Sequence, residues 1–302
     1  MTAIDLGSPA KSQLVALLRA LRVHQWVKNL LVFVPVMLDH KLFQPPVMAR
    51  ALTAFAAFCC AASGAYVLND LLDRDADRRH RTKRHRPFAS DTLSRSFGAV
   101  LIPLLFAAAL LWSLWLSPKF LALLTIYVVL TTAYSIYLKR IAVLDVMLLG
   151  GLYTLRVLAG VAASHVRFST WLLAFSMFLF LSLAFLKRYA ELSELQGGAT
   201  EGVARRGYLR GDREWLGSMG GASGYLSVLV LALYINSAEV MALYRNPLLL
   251  WLICPLLLFW ISRMWLLAHR GRIDQDPIVA AVRDPASYAV GALVVLILYA
   301  AV

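Results

Sequence analysis

The chain has 302 residues, 60% of them hydrophobic, a mean hydropathy of +0.69 and a formal net charge of +13. Soluble globular domains are about 45–50% apolar, so this composition excludes a soluble protein and indicates a polytopic membrane protein. Nucleic acid is a poor explanation for the charge, because the basic residues gather in loops on one predicted side of the membrane.

Taken in chain order, apolar runs long enough to span, about 17–25 residues each, occupy 14–38, 47–68, 97–116, 120–138, 143–163, 171–186, 216–243, 247–267 and 287–302. Backbone polar groups in lipid must be satisfied within their own segment, so the expected fold class is all-α. It is a bundle of about nine transmembrane helices in one integral-membrane domain over 1–302, with 1–13 as a flexible cytosolic tail. The first run is the least regular: Arg19, Arg22, His24, Gln25 and Lys28 interrupt it, so only its second half is expected to lie in lipid. Of the thirty Lys and Arg, 24 fall in the N-terminal segment and in the regions after even-numbered runs, against five on the alternate side. Positive residues favour the cytoplasmic face, which places the N-terminus and the charged loops in the cytosol of a cell inner (plasma) membrane. The first thirteen residues are largely polar and give no sign of a cleavable signal peptide. Cys59, Cys60 and Cys254 lie inside apolar runs and read as packing residues.

Five constellations carry possible chemistry. At the start of the first span, Lys28 and Asn29 direct a charge and an amide toward the cytosolic mouth, while Trp26 also reads as an interface anchor. After the second span come Asn69, Asp70, Asp73 and Asp77. On a helix they fall at roughly 0, 100, 40 and 80°, one face, with Asp75 on the other side. Carboxylates at such spacing aim at one volume, and Mg²⁺ is held by one or two carboxylates plus substrate phosphate oxygens. The rival reading is a solvated loop whose acids pair with nearby arginines. The basic run Arg78, Arg79, Arg81, Lys83, Arg84 and Arg86, closed by Pro87, suits phosphate, since arginine forks match its oxygens. Here Lys83 and Arg86 are the chosen ligand-binding residues. Inside the fifth span, Asp145 and Arg156 are eleven residues apart and face the same way. Ionisable groups in a span are functional candidates, and a structural partner such as Tyr134 or Tyr153 is the alternative. At the end of the sixth span, Lys187, Arg188, Glu191 and Glu194 form a mixed cluster that also reads as helix-end ion pairs. Asp274, Asp276, Arg283 and Asp284 are left as loop charges, and His80 and His85 as surface residues. No P-loop, CxxC, HExxH or nucleophile triad is present.

The element Asn69-Asp70-x-x-Asp73-x-x-x-Asp77, the Lys83–Pro87 segment and the Arg22-x-x-Gln25-Trp26 start together resemble the UbiA-type superfamily of intramembrane prenyltransferases over essentially the whole chain. The resemblance implies a helical bundle with a central cytosol-facing cavity. In it, Mg²⁺ joins Asn69, Asp70, Asp73 and Asp77 to a diphosphate. The segments 25–29, 144–145, 153–160 and 187–192 are most similar to the decaprenyl-phosphate phosphoribosyltransferase branch. That branch implies a phosphorylated sugar donor, 5-phosphoribosyl diphosphate, and a lipid-linked acceptor, a polyprenyl phosphate. On this basis Asp73, Asp77, Lys83 and Arg86 are assigned to catalysis. Lys28, Asn69, Asp145, Tyr153, Arg156, Lys187, Arg188 and Glu191 are assigned to substrate binding. The aromatic prenyltransferases carry a second D-x-x-x-D motif after the sixth span. Here that place holds Lys187, Arg188, Glu191 and Glu194, a departure that favours the phosphoribosyl donor over prenyl transfer.

Overall fold

The computed structural model describes residues 9–79, 83–167, 169–194, 207–273 and 276–302, and all regular structure among them is helical. His80, Arg81, Asp274 and the side chain of Glu194, each weighed from the sequence, lie outside the described residues. The α-helices are α1 (Pro9–Leu21), α2 (Val34–Leu38), α3 (Pro45–Leu72), α4 (Arg74–Arg79), α5 (Arg95–Ser113), α6 (Pro118–Ile136), α7 (Leu144–Ser164), α8 (Thr170–Glu194), α9 (Asp212–Ile235), α10 (Ala238–Leu243), α11 (Ile253–His269), α12 (Pro277–Arg283) and α13 (Pro285–Ala301). Tight 3₁₀ segments occupy Val23–Phe33 and Pro247–Leu252.

Among the described residues, seven helical stretches are long and apolar enough to cross a membrane, and an eighth is added if α12 and α13, bent by 82°, are one broken span. This differs from the expected nine. The first apolar run is broken: α1 stops at Leu21, Arg22 takes the left-handed conformation (φ 50°, ψ 50°), and the chain continues as a 3₁₀ segment. The five polar residues noted in the sequence fall around this break. The last run, expected over 287–302, forms α13 over Pro285–Ala301, its start set by Pro285 and by Asp284, which accepts Ser287 N–H.

Two compact units emerge, residues 1–138 with 158–167 and residues 139–157 with 168–302, so α7 contributes to both. In the first, α3 is the axis, and α1, α5, α6 and the 3₁₀ segment pack around it. Its buried surface is built from Ala51, Ala54, Ala57, Ala61, Ala62, Ser63, Gly64 and Ala65. Small residues let helices approach closely where lipid offers no hydrophobic drive between them. The closest approach is at Gly160, where a β-carbon would lie 2.2 Å from the Val32 carbonyl oxygen. In the second unit α8 and α9 pack along their lengths, with α11 alongside. Gly220 admits the Trp265 ring, and Ser182 ties the same point by donating to the Gly220 carbonyl (2.7 Å) and accepting from Trp265 Nε1 (3.1 Å). Leu104, Leu111, Val129, Leu229, Val295 and Leu296 stay exposed, as lipid-facing side chains do.

Candidate functional site

At about 1.5 Å per residue, the 28 residues of α3 exceed a hydrocarbon core of about 30 Å, so its last turn extends beyond the apolar stretch. That turn carries Asn69 and Asp70. Acids at a helix C-terminus are opposed by the helix dipole and need positive partners. Asp70, only 2% exposed, has two: Arg22 Nη2 at 2.5 Å and Arg86 Nη1 at 3.0 Å, both on Oδ1. The Arg22 guanidinium also lies 4.8 Å from the Tyr66 ring centroid.

The acidic stretch is not one continuous helix. α3 ends at Leu72 and α4 begins at Arg74, with Asp73 as the cap between them (φ −91°, ψ 3°). The i to i−4 bonds nevertheless run through the join: Asp73 N–H donates to the Asn69 carbonyl at 2.9 Å and Asp77 N–H to the Asp73 carbonyl at 2.8 Å. Asp77 therefore stays on the side of Asp70, in the first turn of α4, where the dipole favours a carboxylate. Arg86 Nη1 donates to Asp77 Oδ2 at 2.7 Å, so one guanidinium nitrogen bridges Asp70 and Asp77. Burial pushes the Asp77 carboxyl above the usual carboxylate range, against the opposing pull of Arg86 and with a further push from Asp70. Asp75 points away and is 78% exposed.

Behind this cluster, Arg74 is buried and donates to the Phe88 carbonyl (2.9 Å) and to Asp91, which also receives Arg78. The Arg74 hydrogen bond holds the Asp91 carboxyl below its ordinary range. Together these bonds fold the chain after Pro87 back onto α4, which sets where Arg86 emerges. Lys83 lies in a short 3₁₀ turn just before Arg86, and Arg86 N–H donates to the Lys83 carbonyl. Arg84 and His85 are exposed. In the 3₁₀ segment Lys28 and Asn29 are buried; Asn29 Nδ2 approaches Cys59 Sγ at 3.3 Å, and Trp26 Nε1 donates to Ser63 at 3.1 Å. Trp26 is thus tied to α3 by a specific bond.

The second unit has its own charged cluster. Asp145, fully buried, accepts Arg188 Nε on Oδ2 and the Tyr208 hydroxyl on Oδ1 (2.7 Å). Arg188, 1% exposed, also donates from Nη1 to Glu191 at 2.5 Å. Tyr208 in turn accepts Val143 N–H at 2.9 Å, and burial followed by the bond to Asp145 raises its phenol well above the usual range. The sequence set Asp145 and Arg156 on one helix face as separate candidates, with Tyr134 or Tyr153 as the alternative structural partner. Arg156 donates to the Leu152 carbonyl (2.7 Å), with its guanidinium 5.3 Å from the Tyr153 ring centroid. The physical reason is reach: Asp145 and Arg156 share a face but lie three turns apart, whereas Arg188 meets Asp145 directly from α8. Lys187 Nζ comes within 4.0 Å of Asp276, and Asp276 caps α12. Asp284 pairs with Arg263 at 2.9 Å, so these two loop charges have structural partners.

Arg22 and Tyr208 are the side chains that the sequence assignment omitted. Arg22 had a signal, as one of the charges interrupting the first apolar run and the first residue of the Arg22-x-x-Gln25-Trp26 element; Tyr208 had none, since 63 residues separate it from Asp145. Among the described residues, no group of three or more His, Cys, Asp or Glu side chains is arranged to hold a metal ion, because Asp70 and Asp77 close on arginine. The donor chemistry still fits a hard cation: two carboxylates from two helices converge within 3.0 Å of one nitrogen, and that guanidinium nitrogen stands where a cation would sit.

A model of the UbiA prenyltransferase family matches residues 31–282. The nodulation protein NoeC of Azorhizobium caulinodans is 36% identical over 92% of this chain and 90% of its own length. The decaprenyl-phosphate phosphoribosyltransferase of Mycolicibacterium smegmatis is 36% identical over 62% of this chain and 60% of its own. The chain also spans 56% of a longer relative, the uncharacterized protein y4nM of Sinorhizobium fredii, at 38% identity. Among solved structures, a UbiA homolog from Archaeoglobus fulgidus bound to GPP and Mg²⁺ superposes with a TM-score of 0.72 at 16% identity, covering 95% of this chain and 99% of that one.

Proposed function

This chain belongs to the UbiA prenyltransferase family, a multi-pass membrane fold that indicates a transferase, and on that premise we propose that it moves a phosphoribosyl group from 5-phosphoribosyl diphosphate to a polyprenyl phosphate and releases pyrophosphate. The observation that carries the proposal is the convergence of Asp70 and Asp77 on Arg86, with Arg22 alongside, at the end of α3. Carboxylates interleaved with guanidinium groups are the donor set for a diphosphate with its cation. The phosphoribosyl donor is favoured by the likeness to the mycobacterial relative named for that activity. It is favoured also by the place of the second Asp motif, which is taken by Lys187, Arg188 and Glu191.

In this reading Asp70 and Asp77, with Asp73 and Asn69 beside them, hold Mg²⁺, which when bound supplies charge neutralisation to the diphosphate. A lipid phosphate oxygen attacks the anomeric carbon; that C–O bond forms as the bond to the diphosphate oxygen breaks, and the electron pair leaves on pyrophosphate. Arg86 and Lys83 stabilise the developing negative charge through charge-assisted hydrogen bonds. The nucleophile is already anionic and needs no general base. Lys28 and Asn29, buried on the 3₁₀ segment, orient the acceptor phosphate. The N-terminus and the reaction lie on the cytosolic side of the inner membrane. Arg188 falls outside this chemistry because it is committed to Asp145 and Glu191.

A second reading, transfer of a prenyl group from its diphosphate, is favoured by the fold shared with the archaeal homolog bound to GPP. Purified chain given Mg²⁺, a polyprenyl phosphate and labelled phosphoribosyl diphosphate should yield a labelled lipid and pyrophosphate, and Asp73→Ala should not. Transfer from a prenyl diphosphate, with no labelled lipid from the sugar donor, would decide for the second reading.

A further inference from the structure

The position that the proposed function gives to a metal is filled here by a side chain of the protein. Arg86 Nη1 lies 3.0 Å from Asp70 Oδ1 and 2.7 Å from Asp77 Oδ2, so one positively charged nitrogen joins carboxylates from α3 and α4. Asp70 and Asp77 are 2% and 5% exposed. Two buried carboxylates so close repel one another unless a cation lies between them. The two arginines on Asp70 are held differently. Arg22 is fixed from below by a left-handed backbone and from the side by the Tyr66 ring. Arg86 leaves a short turn, and its side chain is 24% exposed, so it can swing outward without moving a helix.

We infer that Arg86 is a resident counter-ion: it occupies the cation position of the free protein, is displaced when a divalent cation enters, and takes its new partners from the diphosphate oxygens that arrive with that cation. The inference rests on the cation-and-diphosphate reading of this end of α3. A free cation must break two charge-assisted bonds to Arg86 and leaves that guanidinium without its carboxylates. A cation that brings a diphosphate supplies replacement acceptors for the same guanidinium. Cation and diphosphate therefore strengthen each other's binding, and by linkage the coupling is equal in both directions. The site is reserved for a cation–diphosphate complex over free cation, and Asp70 and Asp77 are never left without a positive partner.

The test is equilibrium dialysis of Mn²⁺ against the full chain in detergent, with and without inorganic pyrophosphate, for wild type, Arg86→Gln and Arg86→Lys. Wild type should bind Mn²⁺ weakly alone and roughly tenfold or more tightly with pyrophosphate, within the 5–150-fold usual for coupled sites. Arg86→Gln should bind Mn²⁺ alone roughly tenfold more tightly than wild type and lose most of the pyrophosphate effect. Arg86→Lys keeps the charge and should stay near wild type. If Arg86→Gln needs metal to remain folded, it is prepared in Mn²⁺ and titrated with a chelator, which reads the same affinity. Mn²⁺ affinity in Arg86→Gln equal to or weaker than wild type overturns the displacement and leaves the cation reading standing. Absence of Mn²⁺ binding in wild type and Arg86→Gln alike, with or without pyrophosphate, overturns both.

Discussion

Arg188→Met tests whether the charged cluster of the second unit is scaffold or substrate site. The substitution keeps a similar volume and removes the guanidinium that reaches Asp145 and Glu191. Asp145, fully buried, would keep the Tyr208 hydroxyl but lose its cation. Breaking a buried pair by deleting one partner costs about 3–5 kcal/mol, because the remaining charge is uncompensated. At about 2 °C per kcal/mol for a chain of this size, the unfolding midpoint should drop by roughly 6–10 °C. Glu191, 21% exposed, contributes little to that figure because solvent can take over its partner's role. The assay is thermal unfolding of the detergent-solubilised protein, followed by tryptophan fluorescence. Asp145→Asn added to Arg188→Met removes the stranded charge and should recover about 0.5–3 kcal/mol of the loss, the range expected for contacting residues. A wild-type midpoint for Arg188→Met, or a double variant that falls by the sum of the single losses, would refute the scaffold role. Arg188 would then return to the substrate-binding set.

Other outcomes are expected. Tyr208→Phe should cost about 1–3 kcal/mol in the same assay, since the lost hydroxyl leaves Val143 N–H without its acceptor and Asp145 Oδ1 without a donor. Gly160→Ala should destabilise by about 1–3 kcal/mol or more, because its methyl would meet the Val32 carbonyl at 2.2 Å. Gly151→Ala, in open space on α7, should be neutral or stabilise by about 0.5–1 kcal/mol, and equal effects at the two glycines would contradict the packing. Asp91 titrates below its ordinary range in the folded state, so its stabilising contribution is present above that range and is lost as pH falls through the lowered value. Asp91→Asn should remove that acid-side loss from a plot of midpoint against pH. An acid limb as steep as that of wild type would show that the Arg74 and Arg78 contacts carry no linkage.

The amino-acid sequence by itself determined the class of this molecule. Lipid tolerates only segments that satisfy their own backbone, so long apolar runs dictated helices. The angular spacing of Asn69, Asp70, Asp73 and Asp77 located an acidic face at the end of the second run, and i to i−4 bonding through Asp73 keeps Asp70 and Asp77 on one side despite the break there. Local periodicity could do this because it acts within a few residues. The interruption at Arg22 was legible as irregular, yet its form, a left-handed residue followed by a 3₁₀ segment, was not.

Tertiary structure alone decided the partners. Asp145 shares a helix face with Arg156, but ion pairs form over about 4 Å, and the cation within that range comes from α8. Tyr208 completes the same cluster from 63 residues away. Likewise, nothing local joins Arg22 to Asp70, 48 residues apart, or marks Arg86, within the basic run, as a bridge between two acids. Charge and periodicity are carried along the chain, whereas a buried carboxylate is neutralised by whatever the fold brings within hydrogen-bonding distance.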